Sequence, residues 1–195
     1  MKKDLRTGLF AIVVMTIFLG LVYPLAITGI SQVVFPGQAG GSKVSFNGKV
    51  VGSSLIGQEF KGREYFHPRP SATEYSGNVT FFGNAGPNSA EAREEVREYT
   101  KAYLHLEKPF DKSLTSEDIP VDAVTQSASG VDPHISEANA RIQAHRIAAV
   151  RHLPLTQVED LISAHTDGRT LGLLGEPGVN VLELNIALDK EAPIK

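Results

Sequence analysis

The chain has 195 residues, 42% of them hydrophobic and 21% charged, with a formal net charge of −3 and no cysteine. That balance is an ordinary globular one with room for a single outer domain and its own core, and the missing cysteine excludes a disulfide framework, a thiolate nucleophile and a thiolate metal site. Without Lys2, Lys3, Asp4 and Arg6, sixteen basic and twenty-one acidic residues remain, a net charge of about −5 that argues against nucleic acid or anionic lipid as a partner.

Lys2, Lys3 and Arg6 precede an apolar run from Gly8 to Ile30 that holds no ionisable group except the Tyr23 phenol. As a helix this run covers roughly 34 Å, slightly more than the roughly 30 Å hydrocarbon core of a bilayer, and it is expected to span. Pro24 removes one donor within it, so a kink or a local repair of the hydrogen bonding is expected there. A cleavable signal peptide would have a shorter apolar core and a small-x-small cleavage site, and residues 33–39 offer a poor one. A buried core helix seldom runs so long without charge. Basic residues before the span and none after it until Lys43 put residues 1–7 in the cytoplasm, the span at 8–30 and the rest outside.

Residues 31–42, with Gly, Gln, Ser and one Pro, read as a linker, and 43–195 as an extracytoplasmic domain. Asn47-Gly48 between two apolar runs predicts a hairpin, because both turn residues must take positive φ. From Gly57 to Pro87 the chain is crowded with Gly, Pro, Asn and Ser and reads as a long ordered loop pinned by Tyr65, Phe66, Tyr75, Phe81 and Phe82. Asn88 and Glu91 predict a capping box for a surface helix with an apolar stripe at Ala92, Val96, Tyr99, Tyr103 and Leu106. Ile119 to Val124 reads as a short strand with its proline near the start. Ser136 is the expected cap of a helix to about His152, stopped by Pro154. Thr156 and Glu159 predict a capping box for a short helix ending near Gly168, and Val179, Val181, Leu184, Ile186 and Leu188 alternate as in a final strand. The resulting expectation is one transmembrane helix plus an α/β domain with a mixed sheet and about three helices.

Gly52 and Gly57 have the offset of the glycines in a phosphate-binding loop, but Gln58-Glu59 stand where Lys and Ser or Thr are needed. The bland alternative is that Gly52 leaves the hairpin and Gly57 makes a turn. Asp132-Pro-His134 with Asp122, His145, His152 and His165 invites a metal reading, yet no histidine pair has the three- or four-residue offset of a helical site. Asp132 to Ser136 reads more simply as a turn that begins a helix, with Asp132 accepting backbone N–H bonds. Ser71, Ser127 and Ser129 are conceivable nucleophiles, but none lies in a G-x-S-x-G frame. In His67-Pro-Arg69-Pro-Ser71 the prolines fix an extended segment that holds His67 and Arg69 for a partner carboxylate or for their own domain.

Four ordered blocks then carry a resemblance over nearly the whole chain: residues 51–58 (VGSSLIGQ), 65–72 (YFHPRPSA), 119–140 (IPVDAVT to SGVDPHIS and Asn139-Ala140) and 165–185 (HTDGR to LGLLGEPGVNVLELN). With the N-terminal span, they resemble the C subunit of the Kdp-type high-affinity potassium-transporting P-type ATPase. Ser76 to Ser89 departs from the glycine-serine-asparagine segment usual in that family. The resemblance implies two partners, a channel-like potassium-binding subunit and a subunit that hydrolyses ATP through a phosphorylated aspartate. It implies that this chain handles neither ATP nor potassium itself but assembles and stabilises the complex, as a helper that raises nucleotide affinity.

No catalytic, cofactor or metal residue follows from the resemblance. Candidate structural or partner-contact residues are Gln58 in the first block and Tyr65, His67 and Arg69 in the second. The third adds Asp122, Ser129, Asp132, His134 and Asn139, and the fourth His165, Arg169, Glu176, Asn180 and Asn185. Gly8, Ala11, Gly20, Ala26 and Gly29 would let the span approach other helices closely. The rival readings are a membrane-anchored exported hydrolase using Asp132, His134 and a serine, and an anchored binding protein with a sizeable pocket.

Overall fold

In a computed structural model, which describes residues 2–77, 84–86 and 88–193, the chain divides into two compact units, 1–43 and 44–195. The first is a helix from Lys2 to Val34, long and apolar enough to cross a membrane. It consists of α1 (Lys2–Ile17), a π-helical turn (Phe18–Val22) and α2 (Tyr23–Val34). The expected disturbance at Pro24 takes the form of that turn. The Tyr23 N–H bonds five residues back to the Phe18 carbonyl, and the wider turn precedes the proline, whose ring would crowd the carbonyl four residues before it in a regular helix. Residues 31–34, expected to be linker, continue the helix, and α3 (Pro36–Ala39) follows.

The second unit opens with the expected hairpin, β1 (Lys43–Phe46) and β2 (Lys49–Ser53), with Asn47 at φ 50° and Gly48 at φ 76°. No regular element occurs between β2 and α4 among the described residues; Phe81 and Phe82, expected to pin this loop, lie outside them. α4 (Ala90–Glu107) is capped by Ser89, whose hydroxyl accepts the Ala92 N–H, rather than by Asn88. One residue of shift moves Glu91 off the position from which it could reach back to the cap.

Two expected strands are helical. Residues 121–124 form a single helical turn, α5 (Val121–Val124), with Pro120 as its extended N-cap residue, whose carbonyl accepts the Ala123 N–H. The final segment is β5 (Gly178–Asn180) followed by α8 (Val181–Glu191). Asn180 accepts the Glu183 N–H at 3.2 Å, and Val181, Leu184 and Leu188 share a buried stripe at helical spacing that also contains alternating positions.

Ser136 caps α6 (Glu137–Arg151) as expected, and His152 ends it in the left-handed conformation. α7 (Leu155–Ala164) begins at Leu155 with Pro154 as its cap residue, so Thr156 lies inside the helix and makes no capping box. The class is therefore one apolar N-terminal helix followed by a helix-plus-sheet domain. Its three-stranded sheet is small and pairs antiparallel throughout where a mixed one was expected, in the order β3 (His134–Ile135), β5, β4 (Thr166–Asp167). α6 is the hub: it packs on α7, α4 and β5, and α7 packs on α8. Ile135, Ala140, Ala144, Ile147, Val158, Ile162, Val179, Leu184 and Leu188 fill the core with Phe66 from the irregular segment, and the partly buried Phe60 packs against them.

Candidate functional site

The segment 65–73 lies across α6 as a strap, and polar side chains hold it there. An irregular backbone has no ladder of its own, so each buried N–H and C=O needs another partner. Asn185 serves Phe66 at both ends, accepting its N–H at 2.9 Å and donating to its carbonyl at 3.0 Å. Gln143 does the same for His67 at 2.7 and 3.0 Å. Arg146 donates to the carbonyls of Arg63 and Tyr65.

These groups belong to one connected network. Asp122 accepts the Ser136 N–H and hydroxyl at the start of α6, at 2.9 and 2.7 Å, and the Asn139 amide at 3.0 Å. Asn139 accepts from the Tyr103 hydroxyl and from Gln143. Gln143 accepts from Arg146, and Arg146 Nε spans both oxygens of Glu107 at 2.9 and 3.1 Å. Arg146 is 0% and Glu107 1% exposed, so neither charge could stand without the other. Burial pushes the Glu107 carboxyl up, and Arg146 pulls it back. Burial also raises the Tyr103 phenol, which keeps its proton and its donor role. His67 is held below the ordinary imidazole range by burial and by Arg146. As a neutral ring it donates from Nε2 to the Gly62 carbonyl at 2.9 Å.

Two clefts flank the strap. His67, Pro68 and Pro70 border one of about 250 Å³ with Tyr99, Tyr103 and Asn139. Arg69 borders the other, of about 390 Å³, with Asp122, Asp132, His134, Asp167 and Glu176. In the second cleft every carboxylate is already engaged. Asp132 pairs with Arg69 at 3.1 Å and accepts the His134 N–H, Asp167 meets His134 Nε2 at 3.3 Å, and Glu176 takes Arg169 on both oxygens. Among the described residues no three such groups are arranged for a metal ion. The cleft is a polar wall in which Arg69 and His134 face these carboxylates. Ser71 donates to the Gly130 carbonyl, Ser129 accepts the Val131 N–H, and Ser136, which lines the second cleft, donates to Asp122.

The other sequence candidates sit apart from this cleft. Gln58 packs where a Cβ on Gly52 would stand 1.6 Å from its amide nitrogen, so Gly52 makes room rather than leaving the hairpin. A Cβ on Gly57 would meet the Asp132 carbonyl at 2.4 Å, and its N–H bonds the Val131 carbonyl at 2.7 Å. That glycine serves a close backbone approach beside the Asp132 turn. Tyr65 donates to Asp189 at 3.1 Å with Arg151 over its ring. His165 bonds the Leu161 carbonyl at the end of α7, and Asn180 caps α8 while donating to the Ser54 carbonyl. Sequence reasoning missed Glu107, Gln143 and Arg146. The available signal was a polar series, Asn139, Gln143 and Arg146, on the same helical face as Ala140, Ala144 and Ile147.

Comparison with known proteins now bears on this geometry. Residues 5–190 match the family described as KdpC, the K+-transporting ATPase c chain. A potassium-transporting ATPase KdpC subunit from Koribacter versatilis is 44% identical over 100% of this chain and 98% of its own length. That of Cereibacter sphaeroides is 46% identical over 97% and 98%, and that of Mycobacterium bovis 44% over 97% and 100%.

Proposed function

The chain belongs to the KdpC family, the c chain of K+-transporting ATPases, and on that premise we propose that it is a non-catalytic subunit that assembles and stabilises the pump. The carrying observation is the similarity over nearly the whole length to subunits of that name. Its N-terminal helix anchors it with Lys2, Lys3 and Arg6 in the cytoplasm, and residues 43–195 lie outside. Its partners are a channel-like potassium-binding subunit and an ATP-hydrolysing P-type subunit. The domain 43–195 then lies across the membrane from cytoplasmic ATP. Any gain in the pump's ATP affinity is therefore indirect, through tighter binding of this chain to one conformation of the pump. The cleft around Arg69, Asp132 and His134 supports the same reading, because it offers recognition groups while the Ser136 hydroxyl that lines it donates to Asp122 rather than to a histidine.

Purification of the tagged chain in mild detergent from its native membrane tests this. We expect it to bring along a multi-span channel-like protein and a P-type ATPase, with potassium-stimulated hydrolysis lost when the chain is stripped away. A lone chain with hydrolytic turnover of its own, abolished by His134→Ala, would overturn the reading in favour of an anchored hydrolase.

A further inference from the structure

His67 stands where the backbone of the strap, an imidazole ring and a cleft meet. Phe66 before it is fixed in the core, 0% exposed, with Asn185 on its N–H and its carbonyl. Beyond it, Arg69 pairs with Asp132 at 3.1 Å, the Arg69 carbonyl accepts the Tyr75 hydroxyl, and the Pro70 carbonyl accepts the Ser127 N–H at 3.1 Å. Between these anchors Pro68 has no N–H to give, so His67-Pro68 is held to α6 by Gln143, which takes the His67 N–H at 2.7 Å and donates to its carbonyl at 3.0 Å. The ring adds its Nε2 bond to the Gly62 carbonyl at 2.9 Å.

His67 borders the cleft of about 250 Å³, and charged and titratable groups reach it there from each element packed around it. From α6, the Arg146 guanidinium shares Gln143 Oε1 with the His67 N–H, at 3.0 and 2.7 Å. From α4, Glu107 lines the same cleft with its charge opposed by Arg146 Nε, and Tyr99 and Tyr103 bring their phenols. The stretch before His67 supplies Glu64, and Glu59 with Lys61, which pair at 3.0 Å; Tyr75 follows the strap. Because the Gly62 carbonyl takes the Nε2 proton, a second proton goes to Nδ1 and makes the ring a cation near Arg146. Burial and Arg146 oppose that charge, and the Gly62 bond and Glu64 offset them only in part. The seated ring refuses the proton, whereas a ring in solvent accepts it near the ordinary 6.5.

We propose that His67 is an acid-operated gate: on taking up a proton its ring leaves the Gly62 carbonyl, and His67-Pro68 lift from α6 while Phe66 and Arg69 stay anchored. The seat that the ring vacates is a wall of the cleft, so opening lets solvent reach Asn139 and Gln143, each 1% exposed while the gate is shut. Opening takes up one proton, so its equilibrium rises by as much as about tenfold per pH unit below 6.5. It needs no unfolding of the core, because Phe66 keeps its place there. The gate is built inside this domain and stands apart from the subunit reading.

The test is residue-resolved hydrogen exchange on the full detergent-solubilised chain between about pH 7.5 and 5, with intrinsic rates divided out, in buffer and in urea below the unfolding transition. We expect the His67 amide to lose protection by as much as about tenfold per pH unit below 6.5, and to do so without responding to urea. The Ala144 and Ile147 amides of α6 should respond to urea, because they exchange only when the domain unfolds. In His67→Gln the amide at position 67 should lose its pH dependence. A His67 amide indifferent to pH, one that follows urea as Ala144 does, or an unchanged pH slope in His67→Gln would each overturn the gate. If that variant does not fold, the pH and urea responses of the wild-type amide decide alone.

Discussion

The strap at 65–73 and the hairpin at 168–177 are both irregular, and they distribute polarity in opposite ways. Around the strap, Arg146, Gln143 and Asn185 are buried polar side chains that supply the partners an irregular backbone lacks, and Glu107 and Asn139 are buried beside Arg146 and Gln143 and bond them. On the hairpin, the backbone satisfies itself across Thr170 and Leu174, and leucines point into solvent. Each inverts the usual partition of polar outside and apolar inside, and for different reasons. The strap is tied into the core by side chains of the helices, whereas the hairpin closes on its own backbone and leaves its leucines outside the core.

The sharpest break of that contrast is Arg146→Leu, which leaves Glu107 buried without its cation. We expect a loss of about 3–5 kcal/mol by chemical unfolding of the detergent-solubilised chain. Asn185→Leu orphans the Phe66 N–H and carbonyl together and should cost about 1–3 kcal/mol for each group left unmade by the same measurement. His67 adds a pH dependence. Its pKa is depressed on folding, so the unfolded chain takes up a proton that the folded one refuses. Stability is then complete above the unfolded value near 6.5 and falls as pH drops from there toward the folded value. Thermal unfolding from pH 7.5 to 5 should show this slope in the wild type and a flatter one in His67→Gln. The smallest effect belongs to the hairpin. Leu171→Ser and Leu173→Ser should each shift stability by no more than about 0.5 kcal/mol, as exposed substitutions do.

Signals that depend on local geometry were legible in the sequence. The apolar run, Asn47-Gly48, the Ser136 cap and the Asp132 turn each need only a few neighbouring residues, and each formed. Val181 to Leu188 misled because alternation and the helical period share positions, and Asn180 followed by Glu183 was the deciding start signal. Pro120, which suits the start of an edge strand, instead caps a helical turn. The strap network was hidden for another reason: Glu107 and Arg146 are 39 positions apart, and a charge in a helix reads as surface until its partner is known. The cleft was half legible, since Arg69, Asp122, Asp132 and His134 were singled out from separate blocks, while Asp167 was not.

The central claim is that this chain serves a potassium pump from outside, without handling nucleotide itself. The most direct measurement is potassium-stimulated ATP hydrolysis over a range of ATP concentrations, in membranes holding the other pump chains with and without this one. The account predicts that hydrolysis is lost, or needs more ATP, when the chain is absent, while the purified chain alone binds no ATP. Identical ATP dependence with and without the chain would contradict it.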